Sequence, residues 1–244
     1  MEDKRFYGRR KGKPIKESRQ KLIDELLPKV ALQKPEERQG INLNDLFGIK
    51  PKEVWLEVGF GGGEHVAELA KIYPDIGIIG AEPFMNGVAS LLAHLNGSHM
   101  QQVKHFNLED GRTDNVRIWP DDIRPLFPAF PNKGFERIFI LYPDPWPKAR
   151  HAERRFVNQK NIPHLAKMLS DTGAVYIATD VLEYAEWALE QMNISGLFEQ
   201  VHPDTSVPPI DWVPTRYEKK GIAAGRKPTY LVFCKKIKKI ENNA

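Results

Sequence analysis

From Glu53 onward the chain alternates between short apolar runs and amphipathic stretches, and this alternation limits the possible folds more than any other feature. Glu53–Val58 reads as a strand, Glu64–Ile72 as a helix, Ile76–Ala81 as a strand and Met85–Leu95 as a helix. Asn115–Trp119 and Phe135–Leu141 read as the third and fourth strands. Ala152–Leu169 reads as helical, broken or kinked at Pro163, Ala174–Ala178 as the fifth strand and Val181–Met192 as a helix. Two late extended pieces, Leu197–Val201 and Thr229–Cys234, bracket a polar loop. Strands alternating with helices imply an α/β fold, a mostly parallel sheet with helices on both faces. Ligands of such sheets collect at the carboxyl ends of the strands. Glu57 and Gly59, Glu82, Asp122, Asp144 and Asp180 each stand at or just past such an end.

The first strand runs into Gly59-Phe60-Gly61-Gly62-Gly63 and then a helix. Glycines allow positive φ and let a ligand approach the backbone, so Gly59 and Gly61 are candidate cofactor contacts. A dinucleotide fingerprint would place a third glycine where Glu64 stands, and an acid there repels a pyrophosphate. Glu57 inside the strand points the same way. Carboxylates suit S-adenosylmethionine, which carries an ammonium and a sulfonium and no phosphate. Glu82 is placed to accept both ribose hydroxyls, and Asp122, with Asp121 as the alternative, to accept from an adenine amino group.

A second unusual stretch follows the fourth strand: Tyr142-Pro143-Asp144-Pro145-Trp146-Pro147-Lys148, then Arg150, His151, Arg154 and Arg155. Three prolines fix φ and remove amide donors, so neither helix nor strand continues through it. A stiff carboxylate beside an indole, backed by four cations, suits a flat polar base on a phosphate backbone. Lys148, Arg150, Arg154 and Arg155 are predicted phosphate contacts. Trp146 can stack on a base or pack on the core; the sequence leaves both open.

Charge distribution agrees. The net charge of the whole chain is +4, yet residues 1–21 hold nine Lys/Arg against three Asp/Glu, and the last ten hold four Lys against one Glu. The body between these tails is therefore acidic. Basic tails on an acidic body fit contact with a polyanion. Residues 1–44 read as a basic arm (disordered over 1–16) with a short helix around Ser18–Leu32, ended near Pro28 or shortly after, and a linker. Residues 45–244 read as the catalytic domain. No run approaches the ~20 apolar residues of a membrane span, and the charged N-terminus carries no export signal. One cysteine, Cys234, builds neither an internal disulfide nor a cysteine metal site. The seven histidines show no metal-ligand spacing, and His65 and His151 read as supporting or solvated residues. These features point to the cytoplasm, to no metal, and to no obligate protein partner.

The motifs Leu56-Glu57-Val58-Gly59-Phe60-Gly61-Gly62-Gly63, Glu82, Tyr142 to His151, Ala178-Thr179-Asp180 and Thr215-Arg216-Tyr217-Glu218 resemble the bacterial tRNA (guanine-N7-)-methyltransferase family, from about residue 50 to 234. The resemblance implies a Rossmann-like class I methyltransferase fold. It implies methyl transfer from S-adenosylmethionine to N7 of a guanine in the tRNA variable loop. It puts Glu57, Glu82, Asp122 and Asp144 around the cofactor, assigns catalysis to Asp144, and gives substrate contacts to Lys148, Asp180, Thr215, Arg216, Tyr217 and Glu218.

Guanine N7 carries a free lone pair, so no strong base is required. Asp144 can orient the base through N1–H and the 2-amino group and stabilise the charge that methylation creates. The stretch Asp211–Lys227 reads as a mobile basic loop closing over RNA, with Glu218 on the base edge or the cofactor ammonium. Three competing readings stand beside this one: an NAD-dependent oxidoreductase on the same fold, an RNA-binding module without catalysis, and a methyltransferase for a different acceptor.

Overall fold

In the computed structural model the described residues are Gly8, Arg10, 12–36, 39–97 and 114–236. Their strands are β1 (Glu53–Val58), β2 (Ile76–Ala81), β3 (Val116–Trp119), β4 (Phe135–Leu141), β5 (Leu169–Thr179), β6 (Phe198–Gln200) and β7 (Thr229–Lys235). They form one sheet in the order β3-β2-β1-β4-β5-β7-β6. Pairings from β3 through β5 are parallel, and β7 runs antiparallel to both β5 and β6. The strand order reverses between β1 and β4, which opens a crevice beyond their carboxyl ends.

Helices α1 (Glu17–Glu25), α2 (Leu27–Val30), α3 (Glu64–Ile72) and α4 (Met85–Leu95) precede β3, and α5 (Ile162–Met168), α6 (Leu182–Ser195) and α7 (Arg216–Ala223) follow β4. Side-chain alternation along the strands gives each face its own core. Leu56, Ile79, Ile140 and Ile177 meet Leu165 of α5 and Tyr184 and Ala188 of α6. Trp55, Ile78, Ile118 and Phe139 meet Val66 and Leu69 of α3 and Val88, Leu91 and Leu92 of α4. Each such side chain contributes roughly 1.5–3 kcal/mol on burial. A one-residue slip of β1 would exchange both sets, so its register is firmly set. That register has a polar consequence: with Trp55 on the α3 side, Glu57 is forced to the same side.

Three segments differ from the sequence expectation. Ala152–Leu169 is not one kinked helix: Ala149–Arg154 is a 3-10 turn, an irregular stretch follows, and α5 begins only at Ile162. Pro163 lies in the first turn of α5, where a missing N–H costs nothing. The Asn158 side chain accepts from the amides of Lys160 and Asn161, fixing the turn before it. Next, the stretch read as a mobile loop over Asp211–Lys227 contains α7. Thr215 caps it by accepting from the Glu218 amide at 3.0 Å. Third, β5 runs from Leu169, well before Ala174, with a register shift between Phe135 and Arg137 of its partner.

Near the N-terminus the helical stretch is split into α1 and α2 and ends at Val30, shortly after Pro28, which sits in the first turn of α2. Leu26 and Val30 join the α3/α4 core, and Ala31 bridges to Ile118 at the edge of β3. Ile41, Leu43 and Phe47 belong to the other core. Leu26, Val30, Leu32, Ile41 and Leu43 thus tie the described part of 1–44 to the two cores, while α1 itself has no buried residue. Residues 1–7, 9 and 11 of the predicted arm, and 98–113 of the segment before β3, lie outside the described residues. Among the described residues no helix is long and apolar enough to cross a membrane.

Candidate active site

A cleft of about 580 Å³ opens at the carboxyl ends of β1, β2 and β4. Gly59 and Gly61 form its floor on one side. Both have positive φ, 74° and 58°. A Cβ on Gly59 would meet nothing within 4 Å, while one on Gly61 would press on the Tyr217 ring at 2.9 Å. The glycine turn therefore supplies an unusual backbone path and room for a ligand at once.

Glu82 follows β2 and is 7% exposed. Its two oxygens accept from the amides of Gly61 and Phe84, each at 2.8 Å. Burial pushes its carboxyl up to about 6, against the pull of those amides, with the charges of Asp144 and Glu57 adding to the rise. Asp122 also lines the cleft. It accepts from Arg124 Nε at 2.9 Å and pairs with Arg124 Nη2 at 2.6 Å. Neighbouring Asp121 accepts from the Asp122 amide and pairs with Arg10 at 2.8 Å. Both acids line the cleft. Their partners Arg124 and Arg10 were not anticipated; the Asp-x-Arg spacing after a strand is too common to be a signal, and Arg10 comes from a stretch without periodicity.

Glu57 does not line the cleft. Its carboxylate meets Nδ1 of His65 at 2.7 Å, with both side chains buried behind the glycine turn. His65, read as supporting or solvated, is the partner that the register of β1 demands. Glu64 folds back over Gly62 and stands 3.6 Å from Arg216 and 4.0 Å from His94. An acid at the start of α3 disfavours a phosphate there. The donor set accordingly fits S-adenosylmethionine better than a dinucleotide: an acid for ribose hydroxyls, an open glycine backbone, and no anion-binding helix end.

Asp144 lines the opposite wall on the loop after β4. The amide of Tyr142 still bonds Ala178 of β5 at 2.7 Å; then the chain leaves the sheet. Tyr142 and Trp146, on either side of Asp144, have φ of 50° and 43°. Trp146 is half-buried in the cleft wall, not in either core. The Arg154 guanidinium lies 5.0 Å from its ring centroid, and His151 meets it edge-on at 5.8 Å. His151 has its pKa lowered, first by desolvation and then by Arg154, Arg150 and Lys148.

Lys148, just before the 3-10 turn, and Arg150, on it, are exposed. Arg155, grouped with them as a phosphate contact, points inward instead and is 4% exposed. Its guanidinium bonds two loop carbonyls and Glu183. Asp180 sits outside the cleft lining and holds Arg226 at 2.6 Å. Of the Thr215–Glu218 segment only Tyr217 reaches the cleft. Thr215 is the helix cap, Arg216 is exposed, and Glu218 is buried, accepting from Trp212 Nε1 at 2.9 Å and the Tyr230 hydroxyl at 2.8 Å. Thr-x-x-Glu is a helix-start signal, and that reading would have found α7.

Sheet order, glycine turn and the acid after β2 together give a Rossmann-like class I methyltransferase fold. Among solved structures, TrmN from Thermus thermophilus shares this fold, with a TM-score of 0.51 and 16% identity over 76% of this chain and 45% of that one. Residues 51–231 match the family described as "Putative methyltransferase". The tRNA (guanine-N(7)-)-methyltransferase of Rhodospirillum rubrum is 42% identical over 95% of this chain and 88% of its own length. The protein of that name from Paramagnetospirillum magneticum is 41% identical, covering 96% and 94%. The chain belongs to the tRNA (guanine-N(7)-)-methyltransferase family.

Proposed function

We propose that this chain transfers the methyl group of S-adenosylmethionine to N7 of a guanine in the variable loop of tRNA. The observation that carries the reading is a carboxylate, Asp144, held on a proline-stiffened loop across the cleft from the glycine turn, within a chain of this family. S-adenosylmethionine, when bound, supplies an electrophilic methyl on a sulfonium. Glu82 would accept from its ribose hydroxyls, Asp122 or Asp121 from its adenine amino group, and Gly59 and Gly61 would give it room. Glu57 would act one layer behind, through the glycine turn it supports with His65.

N7 attacks with its own lone pair, so Asp144 need not remove a proton. Its role is to accept from guanine N1–H and the 2-amino group, aligning N7, and to offset the positive charge that develops on the purine. Trp146 offers a stacking face beside that carboxylate, with Arg154 on it. Lys148 and Arg150, exposed next to the cleft mouth, suit tRNA phosphates, as do the basic tails. Tyr217 closes the side nearest Gly61. A tRNA substrate favours the cytoplasm as the place of action.

Incubation with unmodified tRNA and methyl-labelled S-adenosylmethionine, followed by nucleoside analysis, tests the proposal. Label in 7-methylguanosine is expected. Label in any other nucleoside, or none, would overturn it.

A further inference from the structure

We propose that Arg155 is a positioning residue for this reaction: it grips the Asp144 loop from behind and holds both Asp144 and Trp146 in the cleft. The inference rests on the methyl-transfer reading above. The loop needs such a grip. Pro143, Pro145 and Pro147 offer no amide donors. Tyr142 and Trp146 occupy left-handed backbone without being glycine. Such a conformation persists only where the surroundings over-determine it.

Arg155 provides that determination. Its Nε donates to the Pro145 carbonyl at 2.9 Å and its Nη2 to the Trp146 carbonyl at 3.3 Å. These are the carbonyls of the two residues following Asp144. On its far side Nη2 meets Glu183, in the first turn of α6, at 2.6 Å, and the guanidinium lies 4.9 Å from the Trp187 ring centroid. Trp187 is tied in turn to the Val157 carbonyl at 2.7 Å. The Arg155 carbonyl accepts from Asn158 at 2.7 Å, which fixes the backbone from which the side chain starts. A planar fork bonding a loop on one edge and a helix on another is a task for arginine; a lysine ammonium cannot span it. Consecutive arginines thus hold the same loop from two sides, Arg154 at the indole and Arg155 at the backbone. With its side chain 5% exposed, Arg155 is out of reach of a phosphate.

The test compares wild type with Arg155→Lys, Asp144→Asn and the double variant. Single-turnover methylation of tRNA, equilibrium binding of tRNA and S-adenosylmethionine, and amide hydrogen exchange are measured on each. Arg155→Lys is expected to slow the methyl-transfer step about tenfold or more, as small misplacements of a catalytic group do. S-adenosylmethionine affinity stays within about twofold, and tRNA affinity falls by no more than the loss of the Trp146 stack, with the salt slope unchanged because no phosphate contact is removed. Exchange at the Asp144 and Trp146 amides accelerates while β4 is unchanged. The double variant is no slower than Asp144→Asn, because Arg155 acts through Asp144.

Losses that multiply in the double variant would overturn the proposal. So would an unchanged rate with weaker tRNA binding and a salt slope lower by about one, the mark of a phosphate contact. Should Arg155→Lys fail to fold, Glu183→Gln decides. Removing the charge that anchors the far side of the fork should slow transfer about threefold and speed loop exchange; unchanged rate and exchange would sink the idea. A wild-type protein inactive on tRNA would instead defeat the methyl-transfer reading, and the exchange data would still show whether Arg155 holds the loop.

Discussion

Two acids face the same cleft and are held in opposite ways. Glu82 is buried, and both of its oxygens rest on backbone amides, Gly61 and Phe84. Asp144 is exposed, and its position is set through the peptide groups around it, not through its carboxylate. The first is built by the sheet: once β1 and β2 pair in register, the glycine turn and the acid meet. The second lies beyond the sheet, on a loop that prolines stiffen and a side chain clamps. A small cofactor can be met by a preformed, nearly dry wall. A base carried by a large RNA needs an open carboxylate, so rigidity there has to come from behind.

If this contrast is right, the two acids should fail differently. Asp144→Asn should lower the rate of methyl transfer about 100-fold, the scale on which one electrostatic contact to a transition state is lost. Its S-adenosylmethionine affinity should stay within about threefold. Near wild-type turnover would remove Asp144 from the chemistry. Glu82→Gln should act in the reverse sense, weakening S-adenosylmethionine about tenfold by losing a charged acceptor.

Acid pH sharpens the distinction. The Glu82 carboxyl stands at about 6 in the folded protein against an ordinary 4.5. Ribose hydroxyls need the ionised acceptor, so S-adenosylmethionine affinity should be flat above pH 7 and fall by up to about tenfold per unit below 6. Stability of the free protein moves the other way. A raised carboxyl favours the protonated folded state, so this contribution is full below pH 4.5 and is lost as pH rises through 6, about 2 kcal/mol in all. Titration calorimetry across pH 5–8 should show the affinity slope in wild type and a flat line in Glu82→Gln. A slope that survives in the variant would assign it to another group.

The elements bearing Glu82 were legible because β1, α3, β2 and α4 carry clean periodicities joined by a glycine turn. The acids themselves were not separable. Glu57, Asp180 and Glu218 occupy positions as suggestive as Glu82, yet each is engaged by His65, by Arg226, or by Trp212 and Tyr230. Those partners come from elsewhere in the chain, and position along the sequence does not reveal which way a carboxylate turns. Arg154 and Arg155 show the same limit over one residue: identical chemistry, one on the cleft, one under the loop. Pro163 and Pro28 were read as breaks, although a proline in a first turn is equally a start.

The stacking face should show a smaller effect. Trp146→Ala should weaken tRNA binding about tenfold, within the ~1–3 kcal/mol of a base–aromatic stack, with S-adenosylmethionine affinity unchanged. Trp146→Phe should recover most of it. Unaltered tRNA affinity in Trp146→Ala would leave the indole as no more than a cleft wall.

The smallest predicted effect separates the outward cations from the inward one. Arg150 is exposed on the 3-10 turn. Arg150→Gln should cost only a few-fold in tRNA affinity near physiological salt, because one phosphate contact among several is lost. Its signature is the slope: log Kd against log salt should flatten by about 0.7–0.9, one released counterion, with the rate at saturating tRNA within about twofold of wild type. Arg155→Lys should show the inverse pattern, an unchanged slope and a slower step. Similar slopes in both variants and wild type would place Arg150 on a solvated face away from the RNA, and the tRNA path would then have to run along the basic N-terminal stretch instead.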